Sequence, residues 1–260
     1  MTQTVNLKID LPSGGSRRLM MYDHRSSEGL AKGILGGTTY PHIPYIKDVQ
    51  TVVDIGANVG LASAYFSLVY SPTRIIAVEP TPASFALLAE NAKHWPMIEP
   101  HRVGLFDSTR SAPMFVSAKD SLISSIYRWH ESAEETVSIE LEDAETFLRR
   151  IGITRIDILK IDTEGCERPI LASIKTRLPT IQVIYIEYHS NEDRIWIDAL
   201  LSPTHILSRG QVIHEHQGEF CYVARTACPP PVQAAQPNCV SLDELCWRAL
   251  DEADAPSASG

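Results

Sequence analysis

From residue 51 the sequence alternates between apolar strand-like runs and helical stretches, and no other feature limits its fold as much. TVVDI is a buried strand, and GLASAYFSLVY after it reads as a helix ended by Ser71-Pro72. RIIAVEP is the next strand. TPASFALLAENAKHW follows, with Thr81 placed as an N-cap and Pro82 at the first helical position. HRVGLF reads as a third strand. Parallel strands need a crossover between them, so this βαβαβ order predicts a parallel sheet with helices on both faces.

The rhythm then breaks over residues 107–136, which read as an insertion above the sheet. It resumes with the strand TVSIEL, and Asp143 is placed to cap a helix over AETFLRRIG with Gly152 as its stop. RIDILKID is another buried strand, followed by a helix from about Glu167 to Leu178, and IQVIYIEY is the next strand. HILSRGQVIHEHQGEFCYVAR predicts a terminal antiparallel pair. Three segments follow from this pattern: a cap at 1–50 with a short hairpin, an α/β domain at 51–227, and a tail at 228–260. The tail opens on the proline-rich linker CPPPVQAAQPN. After it, Ser241 and Glu244 fit a capping box before Leu242, Leu245, Cys246, Ala249 and Leu250 at helical spacing.

Composition narrows the function classes. The 260 residues are 44% hydrophobic and carry a formal net charge of −9, without a Lys/Arg run. That argues against a nucleic-acid partner, which selects basic surfaces. The five cysteines form no CxxC pair and no zinc spacing, as expected of reduced thiols in a cytoplasmic protein. No apolar run reaches the length of a signal segment or a membrane span.

The turn after the first core strand is the most informative local feature. VVDIGANVG places Gly56, Asn58 and Gly60 at every second position. Glycines just past a strand admit close approach by a ligand or another backbone. A dinucleotide fingerprint G-x-G-x-x-G starting at Gly56 would need glycine where Asn58 and Leu61 stand, and no GK[ST] follows for a phosphate loop. The ligand is therefore expected to be a nucleoside compound without a pyrophosphate. S-adenosylmethionine meets that description. Its carboxylate suits N–H groups at the turn and helix start. Asp54 can organise the turn or meet the ammonium group, and Glu79, ending the next strand, can accept both ribose hydroxyls.

Together, VVDIGANVG, AVEP and DILKIDTEGCE resemble the FkbM family of S-adenosylmethionine-dependent methyltransferases. The likeness covers roughly residues 37–190, including GGTTY, LEDAETFL and IQVIYIEYH. It implies the α/β class I methyltransferase fold, Rossmann-like: a mostly parallel seven-stranded sheet with helices on both faces and an antiparallel terminal strand. It also implies a cofactor site of Asp54, Gly56, Ala57, Asn58, Gly60, Glu79, Pro80, Gly104, Leu105 and Asp162. The family's usual apolar and aromatic residues are replaced by Thr163 and Cys166, which bears on the shape of the acceptor pocket.

Methyl transfer is an in-line displacement, so the chain must align a nucleophile and, for a hydroxyl, accept its proton. LKIDTEG supplies Lys160, Asp162 and Glu164, with Lys160 and Asp162 on one side of the strand. A structural pairing of Lys160 with Glu187 is the alternative use of the lysine. IEYHS supplies Glu187 and His189, and His189 is the expected general base because its ordinary pKa lies nearest neutrality. Asp162, Glu187 and His189 could instead hold a divalent ion. That set does not stand out, and activity independent of a metal is expected. Tyr127, Arg128 and Trp129 in the insertion suit recognition of a polyol acceptor. The expected activity is O-methylation of a small-molecule hydroxyl on a secondary metabolite, saccharide or glycolipid. N-methylation, an aminopropyl transfer and a non-catalytic cofactor-binding module are the rivals. Oligomeric state is left open.

Overall fold

A computed structural model describes residues 3–24, 26–116, 124–126 and 135–229. The linker beyond residue 229, the tail helix at Ser241 and Glu244, and Tyr127, Arg128 and Trp129 lie outside the described residues.

The chain opens with a hairpin, β1 (Thr4–Asp10) and β2 (Ser16–Tyr22), and a helix, α1 (Ser27–Leu35). The alternation follows: β3 (Thr51–Ile55), α2 (Leu61–Tyr70), β4 (Arg74–Val78), α3 (Pro82–Ala92) and β5 (Ile98–His101). Next come β6 (Gly104–Phe106), β7 (Arg110–Val116), β8 (Ser124–Ser125) and β9 (Glu135–Asp143). The remainder is α4 (Ala144–Arg150), β10 (Ile158–Ile161), α5 (Glu167–Ser173), β11 (Val183–Tyr188), α6 (Asn191–Leu201), β12 (His205–His214) and β13 (Gln217–Ala224).

Seven strands form one sheet in the order β12-β13-β11-β10-β3-β4-β5. The five from β11 to β5 are parallel, and β13 lies antiparallel beside β11. This is the expected α/β sheet with its antiparallel end. The strand pleat explains why the core strands read as unbroken apolar runs, because both faces are covered. Val52, Ile75, Ala77, Ile158 and Val183 pack with residues of α1, α2 and α3. Val53, Ile55, Ile76, Val78, Leu159 and Ile161 pack on the opposite face with residues of α4, α5 and α6. The chain runs from β3 outward to β5 and later returns from β10 through β11. The strand order therefore reverses between β3 and β10, where open α/β sheets bind ligands.

Four local expectations need correction. HRVGLF is not one strand: His101 ends β5 in the main sheet, and Gly104–Phe106 forms β6 in a second sheet of order β6-β9-β7-β8. Thr81 occupies the N-cap position but its side chain makes no capping bond; its hydroxyl points to Met114 Sδ at 3.6 Å. The helix expected from Glu167 to Leu178 stops at Ser173, and a separate 3₁₀ turn covers Leu178–Thr180. Helix α6 was not foreseen. Its sequence NEDRIWIDALL buries only Ile197 and Leu201, and its strongest signal is the N-cap Ser190, which accepts from Asp193 N. The Asp143 cap is as expected, its carboxylate accepting from Thr146 N at 2.8 Å.

The N-terminal segment packs into the same core. Ile9, Leu19, Met21, Ala31 and Ile34 join the cluster on the α2 face. Asn91 of α3 accepts from Met20 N at 2.7 Å and donates to Met20 O at 2.8 Å. No helix among the described residues is long and apolar enough to cross a membrane.

Candidate active site

Two connected cavities open at the carboxyl ends of the parallel strands. The larger, about 290 Å³, is lined by Gly56, Asn58 and Glu79 and by Asp162, Glu164 and Cys166. Val103, Leu105, Met114, Ile139 and Leu141 give it an apolar bay, so the second sheet supplies one wall. The smaller, about 110 Å³, is bounded by Tyr22, Thr39 and Tyr40 from the N-terminal segment, by Leu61 and Ala62 of α2, and by Lys160. Asp162, Glu187 and Glu219 line both.

The glycine turn is shaped by the strand beside it. Gly56 has φ 76°, and a Cβ there would lie 1.8 Å from Asp162 O, so only glycine fits. Gly56 N and Ala57 N both donate to Val78 O at 3.0 Å, Gly60 N donates to Ala57 O at 2.8 Å, and Asn58 N donates to Glu79 Oε2 at 2.9 Å. These amides hold the turn rather than a ligand. The amides left without helical partners are those of the first turn of α2, whose Leu61 and Ala62 line the smaller cavity, and such amides can receive an anion.

Asp54 sits beneath this turn with 0% exposure and lines neither cavity. Its Oδ2 accepts from Ser63 Oγ at 2.6 Å, and its Oδ1 lies 3.2 Å from Lys160 Nζ. It organises the turn, the first of the two roles expected of it. Lys160 donates to Gly56 O at 2.6 Å and lies 3.5 Å from Asp162 Oδ2. Its ion-pair partners are therefore Asp54 and Asp162, not Glu187. Burial alone would lower the Lys160 pKa, but the Asp54 and Asp162 carboxylates outweigh it and raise it.

Glu79 is 6% exposed, and its Oε1 also accepts from Thr81 N at 2.8 Å. The carboxylate thus bridges the glycine turn and the start of α3 while facing the cavity. Pro80, Gly104 and Leu105 continue the same wall. A Cβ on Gly104 would come 2.5 Å from Leu141 Cδ2.

Asp162 follows β10 directly, and Tyr40 Oη donates to its Oδ2 at 3.3 Å. Lys160, then His189, hold its pKa below the ordinary carboxylate value against the effect of burial. The chain next turns sharply, with Glu164 at φ 55° and Gly165 at φ 107°. Positive φ at a glutamate is uncommon and is a mark of functional turns. Glu167, 0% exposed, fixes this turn: its Oε1 accepts from Thr163 N at 3.0 Å, Thr163 Oγ1 at 3.0 Å and Gly165 N at 3.1 Å. Thr163 thus has a hydrogen-bonding reason to stand where the family has an apolar residue.

His189 follows β11 and meets three carboxylates. Its Nε2 lies 3.2 Å from Glu164 Oε2 and 3.7 Å from Glu187 Oε1, and its Nδ1 lies 3.4 Å from Glu167 Oε1. Burial would lower its pKa, but Glu164 and Glu167 outweigh that and push it up to about 11. These carboxylates favour the protonated imidazole, which departs from the neutral histidine base expected from sequence. Burial, and then Asp162, push Glu187 up to about 9 and Glu219 up to about 7. Burial also raises Glu164.

Sequence reasoning thus named Lys160, Asp162, Glu164, Glu187 and His189, and the fold brings all five together. It missed Tyr40, Glu167 and Glu219 as parts of the site. Glu167 was visible as the last acid of the KID-x-EG-x-E block, and Tyr40 as the last residue of GGTTY. Nothing local marks Glu219, which faces Glu187 only through the β11–β13 register.

Comparison with known proteins agrees with this geometry. The family model described as the methyltransferase FkbM domain matches residues 54–218. The chain is 25% identical over 225 residues to the AMB antimetabolite synthetase AmbE of Pseudomonas aeruginosa, a match spanning 72% of this chain and 10% of that protein. It is 28% identical over 154 residues to Methyltransferase sdnD of Sordaria araneosa, spanning 47% of this chain and 60% of that one. Among solved structures, Methyltransferase FkbM from Methylobacillus flagellatus matches with a TM-score of 0.50 at 17% identity, over 68% of this chain and 44% of that chain, a likeness of fold. The chain therefore spans only part of these relatives. With the family pattern running from Asp54 through Gly218, and so over well over half of the chain, the chain belongs to the FkbM methyltransferase family.

Proposed function

We propose that this chain transfers the methyl group of S-adenosylmethionine to a hydroxyl of a small molecule. The observation that carries the reading is that Glu79 and the Asp162–Glu164 turn line one cavity together with an apolar bay. The bay of Val103, Leu105, Met114, Ile139 and Leu141 suits an adenine ring. The open lone pairs of the Glu79 carboxylate suit the ribose hydroxyls. The first turn of α2 suits the methionine carboxylate, and Asp162 its ammonium group.

The methyl group then faces the wall of Glu164, Glu187 and Glu219, with His189 in contact with Glu164. There the acceptor oxygen forms its bond to the methyl carbon as the sulfur–carbon bond breaks, and the hydroxyl proton passes to a carboxylate. Glu164 is the best placed to take it. Burial raises its pKa above the usual carboxylate value, whereas Lys160 holds Asp162 low and burial pushes Glu187 up to about 9. Lys160 acts as a positioning residue, tying Asp54, Gly56 O and Asp162 into one unit. The name of one relative, an antimetabolite synthetase, supports an acceptor drawn from small-molecule biosynthesis.

An amine acceptor is the second reading. The acid-rich wall favours it, because Asp162, Glu187 and Glu219 would attract a cation. Calorimetry should show binding of S-adenosylmethionine and S-adenosylhomocysteine and none of NAD. Equal NAD binding would refute the cofactor assignment. Mass-resolved comparison of cells with and without the gene would then identify the methylated species and show whether oxygen or nitrogen carries the new methyl group. A chain that binds the cofactor but yields no such species is a binding module, and the proposal fails.

A further inference from the structure

We propose that Asp162, Glu164 and His189 form a binding site for one divalent metal ion at the ends of the adjacent strands β10 and β11. The register of the sheet creates the site. β10 pairs with β11 in parallel, Ile161 opposite Ile186, so the residues just past each strand emerge side by side. One ligand atom from each of the three side chains lies within 4.8 Å of the others. Ligands about 2.0–2.3 Å from a shared ion stand about 3–4.6 Å apart, so small rotations close the set.

An acidic cluster alone would not justify a site, and His189 supplies the second observation. Its side chain is only 10% exposed, and its ring nitrogens, though 3.2–3.7 Å from three carboxyl groups, make no aligned hydrogen bond. Buried polar groups are normally satisfied, so an imidazole turned unsatisfied into a cluster of carboxylates points to a missing partner. The surroundings resemble the support that metal ligands receive. Glu167 Oε1 lies 3.4 Å from Nδ1, the ring nitrogen opposite the one facing Glu164. A carboxylate there orients an imidazole toward a metal through its other nitrogen. Glu167 also fixes the Thr163–Gly165 turn that presents Glu164, and Tyr40 Oη holds Asp162. The nearest ammonium, Lys160, lies 3.2 Å from Asp54 Oδ1 and donates to Gly56 O beneath the turn; it reaches only one oxygen of Asp162, Oδ2, at 3.5 Å.

Two carboxylates and one imidazole suit a borderline or hard ion such as manganese or magnesium, and three protein ligands leave coordination positions open. This deepens the proposed methyl transfer and rests on it. An acceptor hydroxyl bound in an open position would lose its proton more readily, to the Glu164 oxygen left off the ion, and neighbouring oxygens on one acceptor could fill two positions. The ligand trio differs from the Asp162, Glu187 and His189 set that sequence suggested, and the proposal departs from the expectation of metal-independent activity.

The test uses the full chain, stripped with EDTA, dialysed and titrated with manganese alone. Electron paramagnetic resonance should show one saturable ion per chain. His189→Gln and Glu164→Gln should each weaken it at least 10-fold while keeping the parent's melting temperature within a few degrees. Should either variant fail to fold, pulsed resonance on the parent with ¹⁵N-histidine should show a histidine nitrogen coupled to the ion. Absence of saturable binding overturns the site, as does undiminished affinity in folded variants or a missing nitrogen coupling. Calorimetry with S-adenosylhomocysteine separates the two readings. Cofactor binding without metal binding rejects the metal site alone, and metal binding without cofactor binding rejects the methyl-transfer reading.

Discussion

Replacing Lys160 by methionine tests whether the buried ion pair holds the glycine turn. The methylene stem is kept and only the ammonium is lost. Asp54, with 0% exposure, would keep Ser63 Oγ as a partner on Oδ2 but nothing on Oδ1. Gly56 O would lose its 2.6 Å donor. Breaking a buried pair by removing one partner costs about 3–5 kcal/mol, because an uncompensated charge stays inside. For a chain of this size that is a fall in Tm of roughly 6–20 °C. The assay is thermal unfolding followed by circular dichroism at neutral pH. Adding Asp54→Asn should recover part of the loss, since the orphaned charge disappears. The sign of the pH effect is also set. The Lys160 pKa is raised in the folded state, so its contribution is complete below the ordinary lysine value of about 10.4 and is lost only as pH rises through the folded value. A Tm within 2 °C of the parent, or a double variant no better than the single, would refute the reasoning about this pair.

Other outcomes follow from the same contacts. Glu79→Ala should weaken binding of S-adenosylhomocysteine by about 1–3 kcal/mol, the scale of hydrogen bonds to a charged group, as read by calorimetry. Asp143→Ala removes the cap on Thr146 N and should lower stability to urea by about 0.5–2 kcal/mol, with cofactor affinity unchanged. The Glu187 pKa is raised from the usual carboxylate value to about 9, so in the metal-free protein its contribution is complete below about pH 4.3 and fades as pH rises toward 9. Glu187→Gln should flatten that decline and raise Tm relative to the parent at pH 9, measured in EDTA.

What the sequence disclosed about this molecule follows the range over which each signal acts. Periodicity is local, and the parallel core was legible because both faces of β3, β4, β10 and β11 are buried and leave unbroken apolar runs. The edge strand β5 was misplaced because its residues IEPH include one proline and are mostly half-buried, so neither composition nor alternation marks them. Helix α6 escaped because its exposed faces carry most of its sequence. Glycine turns were legible for a steric reason: a strand end that touches the Asp162 carbonyl tolerates no Cβ at Gly56.

The chemistry of the site has a longer range. A histidine read alone has a pKa near neutrality and looks like a base. His189 becomes something else because Glu164, Glu167 and Glu187 reach its ring, the first two through a turn held at positive φ. Fixing three carboxylates around one buried imidazole is unfavourable unless positive charge offsets them, and a proton on His189 supplies a single charge. Lys160 is shared between Asp54 and Asp162, one cation for two carboxylates, so the cleft wall keeps an excess of negative charge. A divalent ion bound to Asp162, Glu164 and His189 would add two charges at that place and free the imidazole of its proton. The electrostatic demand that defeats the simple histidine base is thus the same demand that a metal would meet.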